Sequence, residues 1–115
     1  MKIRKIAFKL GKKDLFVDGK VVSKFSFGLM FRGKNTNALL FEFSKDTRLA
    51  ISSLFCFHSF LAVWLDSRGQ VLEFRVVKPF EFSINPEKPF RKLVEIPFNA
   101  KYRRVLENFL GVRNI

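Results

Sequence analysis

Leu61-Ala62-Val63-Trp64-Leu65-Asp66-Ser67-Arg68-Gly69-Gln70-Val71-Leu72-Glu73-Phe74-Arg75-Val76-Val77 is the stretch on which the fold class turns. Its first five residues close an uncharged run of seventeen, Leu49 to Leu65, bounded by Arg48 and Asp66. That length is the lower limit for a helix spanning a bilayer. Ser52, Ser53, His58 and Ser59 interrupt the run, and its aromatic and β-branched content reads as one or two buried strands. Asp66 to Gly69 is turn chemistry. Beyond it Leu72, Phe74 and Val76 alternate with Glu73, Arg75 and Val77, the period of a strand. Apolar run, turn and alternating run together spell a β-hairpin.

The same period recurs on both sides. Ile6, Phe8 and Leu10 alternate with Lys5, Ala7 and Lys9, giving a strand with one buried and one basic face. Leu15 to Val17 and Lys20 to Val22 flank Asp18-Gly19, a dipeptide suited to a two-residue turn, so a tight hairpin is expected there. Ser23 to Phe31 has no clean period and reads as a helical turn or covered loop. Ala38 to Phe43 alternates, with Leu39, Phe41 and Phe43 opposite Leu40 and Glu42. Phe80 to Ile84 alternates as well, and Pro86 and Pro89 then enforce a loop before a last strand, Lys92 to Ile96. Some seven or eight short strands is the density of a sandwich or barrel.

The C-terminus changes period. Tyr102, Val105, Leu106, Phe109 and Leu110 recur at helical spacing, with Lys101, Arg103, Arg104 and Glu107 opposite, Asn99 as N-cap and Gly111 as C-cap. The expected fold is therefore mainly β, a single domain over residues 1–115 built as an antiparallel β-sandwich, with one C-terminal α-helix over about 99–110.

Composition fits one core: 115 residues, 48% apolar and 16 of them Phe, fill an interior without disulfides. The single cysteine, Cys56, makes no internal disulfide, as expected of a reducing, cytoplasmic setting. Met1 to Lys5 is positive like an export signal, but Lys9, Lys12 and Lys13 interrupt the apolar segment such a signal needs. Net charge is +12, distributed as +8 over residues 1–34 (ten basic, two acidic), zero over 35–85 (five of each) and +4 over 86–115 (seven and three). A basic excess at both ends attracts polyanions.

Candidate chemistry is sparse. Cys56 and His58 stand two apart, the same face of a strand, but no other Cys or His exists to complete a metal clip or nucleophilic pair. A buried thiol beside a histidine is the simpler account. Glu42, Glu73, Glu81 and Glu95 sit opposite apolar partners and read as solvated strand faces, Glu42 and Glu95 being the two that a cleft would bury. No Walker loop, dinucleotide glycine fingerprint, HExxH or EF-hand loop is present, so no cofactor, metal or catalytic residue is assigned. An enzyme would require at least two of Glu42, His58, Asp66 and Glu95 to meet in a cleft. What remains is basic: Lys5, Lys9, Lys12, Lys13, Lys20, Arg32 and Lys34 from one end, and Arg91, Lys92, Lys101, Arg103 and Arg104 from the other. Phe8, Phe16, Phe31, Phe90 and Tyr102 interleave with them as potential stacking platforms. The expectation is a binding or interaction module for an unidentified protein or small ligand, with RNA or DNA association through the terminal clusters as the alternative.

Three collinear stretches carry a resemblance: Gly28-Leu29-Met30-Phe31-Arg32 followed by Leu39 to Phe43; Val63-Trp64-Leu65-Asp66 with Gly69 and Val71; and Val77-Lys78-Pro79-Phe80 leading to Val94-Glu95-Ile96-Pro97. Together they resemble the family named domain of unknown function 192, in the shorter Phe-rich form whose relatives look archaeal and intracellular. The likeness covers about residues 5–112. It implies a jelly-roll β-sandwich and no established activity. Before the Trp-Leu-Asp element that family usually shows a Pro and, two residues on, an Asp; here Ser59 and Leu61 stand there.

Overall fold

A computed structural model describes residues 3–22, 33, 35–51, 53, 56–81 and 83–111. Six strands are formed among them: β1 (Ile3–Leu10), β2 (Lys13–Val22), β3 (Ala38–Thr47), β4 (Phe60–Leu65), β5 (Val71–Val77) and β6 (Phe90–Pro97). A 3-10 turn (Ala100–Tyr102) then leads into α1 (Arg103–Leu110). The strands make one curled sheet in the order β1-β2-β3-β6-β4-β5. All neighbours are antiparallel except β2 and β3, which run parallel from Gly19↔Ala38 to Val22↔Phe41. The mainly β domain with a short C-terminal helix is therefore as expected, with one parallel junction in place of an all-antiparallel order.

β6 and β4 lie inside the sheet, which explains the long uncharged run. Leu61, Val63 and Leu65 face the concave core, while Phe60, Ala62 and Trp64 face a second core on the convex side. A strand buried on both faces reads as continuously apolar. The concave core is closed by the 3-10 turn and α1, whose Tyr102 and whose Val105 and Leu106, respectively, are buried in one cluster with Ile6, Val17 and Leu40. The convex core contains Leu39, Phe41, Cys56, Ile84 and Phe90. Curling brings the sheet's borders together. Lys9 N donates to Gly69 O at 2.8 Å, and Phe109 packs on Phe8 at 5.9 Å from one border and on Phe74 at 4.9 Å from the other.

Three local expectations are corrected. The first hairpin turns at Gly11-Lys12, with Gly11 at φ 63, and Asp18-Gly19 continues β2 instead of turning. Gly19 is needed for contact: a Cβ there would lie 2.7 Å from the Ala38 carbonyl oxygen and 2.8 Å from Ile6 Cδ1. Absence of a side chain lets β3 approach closely enough to pair. Among Phe80, Glu81, Ser83 and Ile84, the described residues of the expected strand, none lies in one. Ser53 draws the segment out of line, its carbonyl accepting from Phe80 N at 2.8 Å and its hydroxyl from Glu81 N at 2.9 Å, and among its described residues Ile84 alone bridges, to Ile51. Asn99 caps the 3-10 turn through Lys101 N, so α-helix begins only at Arg103. The helical turn expected over Ser23 to Phe31 falls outside the described residues. No described helix is long and apolar enough to cross a membrane.

Candidate functional site

The two basic termini meet where the β1–β2 hairpin rests on α1. Lys13 Nζ donates to Asn108 Oδ1 at 2.8 Å, and Asn108 Nδ2 to the Arg104 carbonyl at 2.9 Å, a bond along the helix that holds the amide toward the hairpin. Below this contact the Tyr102 hydroxyl donates to the Asp18 carbonyl at 2.6 Å and accepts from Ala38 N at 2.7 Å. One buried phenol thus ties helix, β2 and β3 together, and burial pushes its ionisation above the ordinary range. Lys101 Nζ reaches Asn37 Oδ1.

Beside the tyrosine lies an open groove of about 150 Å³, lined by Phe16, Val17, Asp18, Lys101, Arg104 and Val105 with Tyr102 at its floor. Phe16 pairs with Ala7 on the outer face of the hairpin, out of phase with buried Val17, so its ring is 56% exposed. Lys5 Nζ stands over that ring, 5.2 Å from the centroid, within cation–π range. Among the described residues, no carboxylate forms an ion pair with Lys5, Lys13, Lys101 or Arg104.

The structure divides the remaining basic candidates. Lys9 is exposed on β1 and Lys12 in the Gly11-Lys12 turn, both on the hairpin, and Lys20 lies on β2. Arg103 is on α1 but pairs with Glu107 at 3.4 Å. Arg91 and Lys92 sit elsewhere: Arg91 bonds Asp46 at 3.2 Å, and Lys92 lies 4.0 Å from Glu42, which also takes Arg4 at 3.5 Å. Asp46 and Asn37 mark opposite ends of β3, roughly 25–30 Å apart at strand rise. Arg32 and Lys34 lie outside the described residues. Of the aromatics, Phe8, Phe90 and Tyr102 are core residues, Phe31 is not described, and Phe16 alone presents a ring. Its signal was the period of β2 itself, Leu15 and Val17 in one phase and Phe16 in the other.

The acid, base and thiol candidates serve the fold. Asp66 Oδ1 accepts from Arg68 N at 2.8 Å and Gln70 N at 2.9 Å, closing the β4–β5 turn. Glu42 lies in the middle of β3, beside Arg4 and Lys92. Glu95, expected on a solvated face, is 4% exposed because β6 is flanked by β3 and β4 and its convex side is covered. Cys56 is buried in the convex core, 3.8 Å from His58 Nε2 and donating to the His58 carbonyl at 3.1 Å. Burial pushes this thiol up, with Glu95 adding to the rise, so the nucleophilic thiolate is disfavoured. No three His, Cys, Asp or Glu side chains among the described residues cluster as metal ligands. Of the resemblance positions, Trp64 and Pro97 are buried, Pro79 precedes the Phe80 turn, and Gly28, Leu29, Met30, Phe31 and Arg32 are not described. Leu61 fills the concave core at 0% exposure, so an Asp in its place would bury a charge among apolar side chains.

A second surface feature lies on the convex side. Phe57 and Phe80 are 70% and 58% exposed, with ring centroids 5.5 Å apart. Phe80 holds φ 67, a left-handed conformation that bulky side chains seldom adopt, secured by its bond to Ser53.

No family model matches the chain, and no curated protein matches it. Two solved structures share its architecture. A candidate transcription regulator from Sinorhizobium meliloti 1021 is similar at 15% identity with TM-score 0.70, over 90% of this chain and 84% of that one. A protein of unknown function from Novosphingobium aromaticivorans DSM 12444 is similar at 14% identity with TM-score 0.72, over 96% and 79%. At such identities the likeness is one of fold, a single compact β domain.

Proposed function

We propose that the chain is a binding module for single-stranded nucleic acid, working through the groove between the β1–β2 hairpin and α1. The observation that carries this is the convergence of the two basic termini on one exposed aromatic ring: Phe16 with Lys5 over it, and Lys101 and Arg104 lining the groove beside it. A positively charged track with a stacking platform suits a strand whose bases are free, because every base has a π-face and every nucleotide a phosphate. A duplex offers no open base to Phe16. Binding of a labelled mixed-sequence oligonucleotide across about 50–300 mM salt tests the proposal, since counterion release makes phosphate-driven affinity fall steeply over that range. Tighter binding of single strand than of duplex, with a slope of several phosphates, is the expected result; affinity indifferent to salt overturns it.

A second reading rests on the Phe57–Phe80 pair, whose exposure and held backbone suit a protein interface. That contact would be nearly indifferent to salt and lost in Phe80→Ala, so the same titration separates the two. We also propose that the chain is a divergent member of the domain of unknown function 192 family; the collinear Trp64-Leu65-Asp66 and Val94 to Pro97 segments, which form β4 with its turn and β6, support this.

A further inference from the structure

We infer that the groove beside Phe16 is a one-base subsite that selects cytosine over uracil through Asp18, an inference that rests on the nucleic-acid reading above. The groove's volume, about 150 Å³, is that of a cavity that takes one benzene-sized ring, well below the range of about 300–1,000 Å³ typical of larger ligands. One six-membered ring is a pyrimidine. Phe16 supplies the face for it to stack on, and Lys101 and Arg104 on the opposite wall supply cations for its phosphate.

Asp18 decides which pyrimidine. Its carboxylate has no ion-pair partner among the described residues, and an ionised carboxylate only accepts hydrogen bonds. Its backbone is fixed relative to the helix by the Tyr102 hydroxyl on its carbonyl, 2.6 Å away, so the residue that carries the acceptor is held at the groove wall. Cytosine turns its N4 amino group to such an acceptor. Uracil carries O4 at that position and would oppose oxygen to oxygen. An acidic side chain in an otherwise basic groove weakens attraction for phosphate in general, and a gain in base selectivity is a physical reason for its placement.

The test compares single-stranded oligocytidylate and oligouridylate of about ten nucleotides, within the usual site size, by fluorescence anisotropy at neutral pH and near-physiological salt. Wild type should bind the cytosine strand about tenfold more tightly, the low end of what one base-edge contact supplies. Asp18→Asn offers both a donor and an acceptor and should bring the ratio to about one without weakening uracil binding; Asp18→Ala should do the same and checks that the amide introduces nothing new. Both variants retain the backbone carbonyl that Tyr102 uses, and unchanged unfolding midpoints would show it. Equal binding of the two strands by wild type, with a salt slope reduced by Arg104→Ala, overturns the subsite and leaves the binding module standing. A cytosine preference that survives both Asp18 variants overturns the assignment to Asp18. No binding to either strand at that salt overturns both.

Discussion

From the middle of β3 to its far end, Lys92 and Arg4 share Glu42 and Arg91 lies 3.2 Å from Asp46. At its near end, Lys101 holds a neutral Asn37 side chain, Lys13 a neutral Asn108, and Arg104 lines an open groove. The same residue types thus stand in two settings. Where two carboxylates stand within 4 Å of three cations, most of the local charge is cancelled and a polyanion gains little by approaching. Where amides answer them, the hydrogen bonds fix the side chains in place without cancelling their charge, and Asp18 on the groove wall offsets it only in part. Net charge says that a protein repels or attracts; the partners of each basic side chain say where.

The near end depends on one hydroxyl, and removing it should produce the largest effect. Tyr102→Phe leaves the buried Ala38 N–H without its acceptor and the Asp18 carbonyl without its donor. Unfolding free energy should fall by about 2–3 kcal/mol, the cost of losing two such bonds at a buried junction, measured by urea denaturation. A change below about 0.5 kcal/mol, the lower bound for one hydrogen bond, would mean that the helix is held on the sheet by its apolar stripe alone and that the near end is less firmly built than the comparison requires.

Phe16→Ala comes next. The ring is mostly exposed, so stability should hardly change, while affinity for a single strand should drop about tenfold, within the 1–3 kcal/mol that base stacking on an aromatic supplies. Equal losses for single strand and duplex would remove its role as a platform. Smaller again, Arg104→Ala should lower the dependence of log affinity on log salt by about one phosphate, whereas Arg91→Ala should leave that slope within error. Equal slopes in the two variants would erase the distinction between the ends of β3.

Much of this architecture was legible in the residues because burial imposes period. The hairpin of Leu61 to Val77 forms where expected, and the first strand and the Tyr102 to Leu110 stripe report which side faces a core; within β5 the phase is not kept, since Phe74 is 39% exposed while Val77 is fully buried. Legibility failed where a residue's reason is a long-range neighbour. Asp18-Gly19 has the chemistry of a turn, yet Gly19 is there so that β3, nineteen positions on by register with Ala38, can approach. The alternation of Phe80 to Ile84 was outweighed by Ser53, which claims the amides of Phe80 and Glu81. At the candidate site, the basic residues could be named from composition, but their sorting into answered and unanswered charges depends on strand order. Local periodicity carries no trace of β3 lying beside β6. Phe16 shows the intermediate case: it could be named as one of five rings among basic residues, but its outward phase in β2 and the packing of α1 that makes that face a groove come from the structure.

Alkaline pH offers the gentlest probe, because it reaches one titrating group in each core. Burial raises the folded-state ionisation of both the Cys56 thiol and the Tyr102 phenol. A raised value means that the unfolded chain releases its proton first, so each group's contribution is fully present below its ordinary value and is lost as pH rises through the folded one. Those ordinary values are 9.0 for the thiol and 10.0 for the phenol. Stability should therefore be flat near neutrality and begin to fall around pH 9, with Cys56 first. Cys56→Ala removes the earlier component and leaves the phenol at the helix junction, so the onset should move up by about one pH unit (10.0 − 9.0). The urea midpoint, followed from about pH 7 to 10.5 in both proteins, reads this directly, since linkage sets its slope by the difference in bound protons. Superimposable curves, shifted only by a constant, would show that the convex core does not hold its thiol against ionisation, leaving the Tyr102 phenol as the source of the alkaline fall.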